Sequence, residues 1–168
     1  MASTIKYHML TIWPYQGGGL CTPEGSIKVY TEAATQSFVY GAPLVYDTSE
    51  TDVKLATDTT VAGIGLALSP AVASGGNVTV HLFNPNTLYS APVLNAGAAA
   101  ANAAAQVGVK YSWVARTDGL GYGIDTADTS SHDWFQVVAL HPDYPAGSNP
   151  GYVLVRVLDA VRLTVIVA

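Results

Sequence analysis

The sequence predicts a mostly β protein: a small antiparallel β barrel or sandwich with one short alanine-rich helix and an extended N-terminal arm. Three observations predict it. Short apolar runs recur along the 168 residues, each ended by Gly, Pro, Thr or Asp. Within them β-branched and aromatic residues alternate with polar ones, and a single alanine-rich stretch departs from that period-two pattern. Ten or so strands are expected.

The arm comes first. Ile5, Tyr7, Met9 and Trp13 fall on one side of an extended segment with Lys6 and His8 opposite, while Leu10 and Ile12 make both faces apolar near its end. Pro14 closes this run and Gln16-Gly17-Gly18-Gly19 forms a joint, so residues 1–19 read as arm and joint. Such a segment either adds a strand to a partner's sheet or is the first strand of the protein's own sheet; both readings stand.

Ser26–Tyr30, Ser37–Tyr40 and Pro43–Tyr46 are short β-rich runs bounded by Gly, Pro or Thr. Each closes on a tyrosine, whose ring takes apolar contact while its hydroxyl stays wet. Val53–Ala56, Gly63–Leu68 and the alternating Val78, Val80 and Leu82 continue the pattern, and Asn84-Pro85-Asn86 marks a loop. Asn95 as N-cap, the run Ala96–Gln106 and Gly108 just beyond predict the one helix. Val109–Ala115, Trp134–Leu140 and Tyr152–Leu158 resume strands, and Val161, Leu163, Val165 and Val167 share a face of the last. Arg156 and Arg162 interrupt these apolar strands, either as solvent-facing positions or as partners for carboxylates across an interface. The domain plan is arm and joint at 1–19, a β unit at 20–83 and a second β half at 84–168 packed with it as one compact domain.

Charged residues make up 11% of the chain, less than half the roughly 25% usual for a soluble domain, while AVILMFWYC reach 49%. Apolar excess of that size belongs to a core or to protein interfaces. No apolar run approaches the roughly 20 residues needed to cross a bilayer, so no membrane partner is expected. The opening MASTIKYHML lacks the basic region and apolar core of a secretory signal, which predicts synthesis in a cytoplasm. The single Cys21 offers no internal disulfide. Net charge is −5 with seven Lys and Arg scattered singly, so nucleic acid is not an expected partner.

The stretch from Gly41 to Phe83 is the most distinctive. Pro43-Leu-Val-Tyr-Asp47, a Thr-Ser turn, Lys54-Leu55 in the next strand, Gly63-Ile64 and a final strand around Val78, Val80 and Leu82 follow in that order. This succession resembles the phage lambda head-decoration (capsid-stabilising) protein family, over roughly a quarter of the chain. The resemblance implies a viral structural protein: a capsid decoration or cement protein on the outside of an assembled phage head, bound to the major capsid protein and self-associated as a homotrimer. By position rather than motif, it implies capsid contact through Ile5, Tyr7, Met9, Ile12 and Trp13. Residues 84–168 extend beyond the compact family members.

Other chemistry concentrates in the loop from Asp118 to Asp133. Gly121–Asp125 partly matches a calcium-binding β-roll repeat, but a single copy lacks the neighbouring turn that completes such a site, and a solvated loop is expected. Ser131, His132 and Asp133 are consecutive and point apart, so a hydrolase would need His8, His81 or His141 to converge from elsewhere. No phosphate loop, paired-cysteine site or dinucleotide fingerprint occurs. An enzyme, a metal and a cofactor are therefore not expected. The rival reading is a carbohydrate-binding or host-adhesion module of a virion, presenting Trp113, Tyr122, Trp134 and Tyr144 as sugar platforms.

Overall fold

The computed structural model describes residues 11–15, 27–47, 51–57, 60, 62–72, 75–84, 86–129 and 132–161. Thirteen strands lie within them: β1 (Trp13–Tyr15), β2 (Ile27–Glu32), β3 (Pro43–Tyr46), β4 (Asp52–Leu55), β5 (Gly65–Ala67), β6 (Asn77–Leu82), β7 (Leu88–Asn95), β8 (Ala98–Ala99), β9 (Lys110–Tyr111), β10 (Trp113–Ala115), β11 (Tyr122–Asp125), β12 (Phe135–Leu140) and β13 (Tyr152–Val157). The fold is mostly β with a closed barrel, as the alternation predicted, but β2 with β4 and β7 with β11 pair in parallel where antiparallel pairing was expected.

β2, β4, β3, β5 and β6 close a five-stranded barrel in that order. Its registers align Leu44 with Gly65, Ala67 with Val80 and Tyr30 with Val78, so the buried Leu44, Val53, Val78 and Val80 share the inner face. Tyr30 and Tyr46 meet edge to face at 5.7 Å. His81 and Leu66 are paired on the opposite, outward face of this barrel, yet both are fully buried. The second half of the chain covers them.

That half forms a second curled sheet, β10-β11-β7-β13-β12-β9. Its two ends, β9 and β10, are consecutive pieces of one chain run separated only by Ser112, whose carbonyl accepts the Asp125 N–H at 3.1 Å. One bent strand thus pairs with β12 through its first half and with β11 through its second, and the sheet returns on itself. β7 is the hub, pairing with β1, β13, β11 and β8. It contains Pro92, a residue that central strands normally exclude. Val93 N–H donates to Gly151 on the β13 side, so by alternation the Pro92 nitrogen faces the other way. There the β1 pairing has ended at Ser90 and β11 begins at Val93.

A single apolar cluster runs through the barrel and the curled sheet. Its spine is a relay of ring contacts, Tyr122 to Trp113 (5.7 Å), Trp113 to Trp134 (6.2 Å), Trp134 to Phe83 (6.0 Å), Phe83 to Tyr89 (6.1 Å) and Tyr89 to His81 (5.7 Å). Gly63 makes the closest approach possible: a Cβ there would collide with the Trp134 ring.

Four expectations are corrected. The helix over 96–106 does not form; Ala96 and Gly97 have positive φ (48° and 84°) and make a two-residue hairpin turn joining β7 to β8, leaving one 3₁₀ turn at Ala104–Gln106. A turn with both central residues left-handed matches strand twist, and eleven alanine-rich residues are marginal as an isolated helix. Ser37–Tyr40 is a loop, in which Phe38 is buried and the Phe38 carbonyl accepts Ala71 N–H. The acidic loop contains a strand, β11, and β7 (Leu88–Asn95), a stretch to which no strand was assigned, is the longest among the described residues. The expected last strand lies outside the described residues after Val161.

Candidate functional site

The proposed contact segment divides. Ile5, Tyr7 and Met9 lie outside the described residues. Ile12 is fully buried in the common core and Trp13 is buried in β1, opposite Ser90 of β7. These two are therefore core residues and not contact residues of a detachable arm. Ile12 and Trp13 are consecutive and both buried, so the segment is covered on both sides. Thr11 locks the segment further. Its hydroxyl donates to the Tyr40 carbonyl at 2.9 Å and accepts the Tyr122 N–H at 3.1 Å, tying it to both halves of the molecule.

The aromatic platforms are also mostly core. Trp134 is fully buried, and Trp113 and Tyr122 are buried with it. Tyr144 is half-buried, stacked against Tyr152 at 4.3 Å and edge-on to His141 at 5.3 Å, with Tyr15 on the other side of that imidazole at 5.1 Å. Burial pushes the Tyr152 phenol up to about 12. A sugar would find one platform out of four.

In the acidic loop the carboxylates hold turns. Asp118 accepts Arg116 Nη2 at 2.6 Å and Leu120 N–H at 3.1 Å, and the guanidinium contact holds its carboxyl below the ordinary range. Asp125 Oδ1 accepts the Ala96 and Ala127 N–H groups, at 2.9 and 3.0 Å, so it braces the hairpin that replaces the helix. Among the described residues no three His, Cys, Asp or Glu side chains gather as a metal set. Ser131 lies outside the described residues. His81 faces the Tyr89 hydroxyl at 3.4 Å, and burial lowers its pKa to about 4. His141 Nδ1 accepts the Asp143 N–H at 3.2 Å. Among the described residues neither imidazole is joined to a serine hydroxyl, as a triad requires.

The apolar surface lies elsewhere. Ile27 and Val29 project from the first barrel, Val72 from its flank, and Val107, Val109 and Val138 from the second, each more than 40% exposed. Sequence reasoning placed Val109 and Val138 within strands and singled out none of these three valines as exposed. The signal present was Gly108 between two valines, where no polar side chain alternates with them. Among the described residues no helix is long and apolar enough to cross a membrane. No protein-family model matches this chain, and a search of curated proteins finds no match.

Proposed function

We propose that the protein is a phage capsid decoration or cement protein, a viral structural protein that binds the outer surface of an assembled head and stabilises it by bridging subunits of the major capsid protein. The observation that carries this reading is the pairing of an 11% charge content with valines and isoleucine standing outside a closed β core. A surface of that kind is stabilised when covered. The stretch that resembles the decoration family, residues 41–83, supplies four of the five barrel strands, β3 to β6, which supports the reading.

The mechanism is mechanical. Each copy buries area that internal pressure must re-expose before the shell opens, and many copies multiply a modest contact energy. Ile5, Tyr7 and Met9 remain the proposed contacts, with Thr11, Ile12 and Trp13 anchoring the segment that carries them. Self-association as a homotrimer belongs to the same proposal. Co-sedimentation of purified protein with expanded capsids and with unexpanded proheads tests it: saturable capture by the mature shell alone is expected, and no capture by any shell ends the proposal.

A further inference from the structure

Among the described residues, Lys54 pairs with Asp47 at 2.7 Å and Arg116 with Asp118 at 2.6 Å. Arg156 is held differently. Its Nε and Nη2 donate to the Gln136 amide oxygen at 3.0 and 2.6 Å, and Gln136 Nε2 donates in turn to the Gly108 carbonyl at 3.0 Å. The registers align Gln136 with both Arg156 and Lys110, so these three form one row across β13, β12 and β9 on the outward face. Strand spacing puts the two cationic positions roughly 10 Å apart. Neither has a carboxylate partner among the described residues.

A guanidinium steadied by a neutral amide is oriented without being neutralised. Beside it lies a groove of about 440 Å³, lined by Leu88, Val107, Val137 and Val138 as well as Gln136 and Arg156, and by no carboxylate. Residues 107–110 along its border are all exposed. In a chain of net charge −5 this is a local reversal of sign set on an aliphatic floor.

We infer that the groove binds an extended segment of a partner protein that presents a carboxylate between aliphatic side chains. Arg156 takes the carboxylate, Lys110 attracts it from the far end of the row, and the valines cover the flanking side chains. The charge complementarity selects such a segment over a wholly apolar one. This inference stands whether or not the partner is a capsid subunit.

The test is a titration of ¹⁵N-labelled full-length protein with acetyl-Thr-Val-Glu-Val-Thr-amide and with the same peptide carrying Gln for Glu. Saturable shifts at Gly108, Val109, Gln136 and Val138 are expected, with a Kd on the order of 1 mM. Arg156→Gln, or the Gln peptide, should weaken binding about tenfold, and added salt should weaken it too. Val138→Asp, an exposed change that places a like charge beside the groove, should also weaken it. Absence of saturable shifts up to about 10 mM peptide, equal affinity for the two peptides, or unchanged affinity in R156Q overturns the inference. Sedimentation of the free protein adds one more arm: self-association abolished by R156Q would assign the groove to a second copy and overturn it as well.

Discussion

The indole N–H of Trp134 donates to the carbonyl of Thr60 at 2.7 Å, a bond between residues 74 apart that joins the second half of the chain to a loop of the barrel. The same ring lies over Gly63, whose N–H donates to Val161 at 2.7 Å. Trp134→Ala should cost about 3–5 kcal/mol through the cavity it leaves. Trp134→Phe, which keeps most of the ring but orphans the carbonyl, should cost about 1–3 kcal/mol. Urea unfolding followed by circular dichroism reads both. A change below that range in the alanine variant would mean the two halves do not depend on this contact.

Ile12 separates a core strand from a free arm. Ile12→Ala should lose about 2–5 kcal/mol of stability, the usual result of emptying a fully buried site. An unchanged denaturation midpoint would return residue 12 to the arm.

Acid should destabilise the protein in a defined window. Burial depresses the His81 pKa from 6.5 to about 4, so between those values the unfolded chain binds the proton and the folded one does not. Stability from this group is complete above pH 6.5, falls as pH drops, and is lost by about pH 4; the total is about 3 kcal/mol. His81→Phe should flatten that part of the pH–stability curve, measured by urea midpoints at successive pH values.

The hairpin at Ala96-Gly97 has one residue suited to its left-handed backbone and one that is not. Ala96→Asn should stabilise by about 0.5–1 kcal/mol because asparagine tolerates positive φ. Gly97→Ala should destabilise by about 1–2 kcal/mol, since its Cβ would also lie 2.7 Å from the Ala115 carbonyl oxygen. Thermal unfolding of the two variants should move in opposite directions; a parallel shift would show that the stretch is not a hairpin.

Alternation and turn residues alone located most of the strands. Pro43–Tyr46 runs between the same two residues as β3, and Val78 and Val80, like Val153, Val155 and Val157, stand inside as their period-two spacing requires. Such features are local, because the side-chain period belongs to each strand before any partner is chosen. Pairing is what local pattern omits. Pro92 sits inside Leu88–Asn95, and only the gap between β1 and β11 makes that proline harmless. Ala96–Gln106 had the propensity of a helix, but Asp125 and the end of β7 offered hydrogen bonds that a turn and a short strand could take. Ile12 and Trp13 were legible as apolar, and whether they met a partner or their own core was decided by β7 reaching them first. Chemistry at each position came with the residue; the neighbour that completes it came from elements dozens of residues away, whose approach depends on the whole chain closing its sheets.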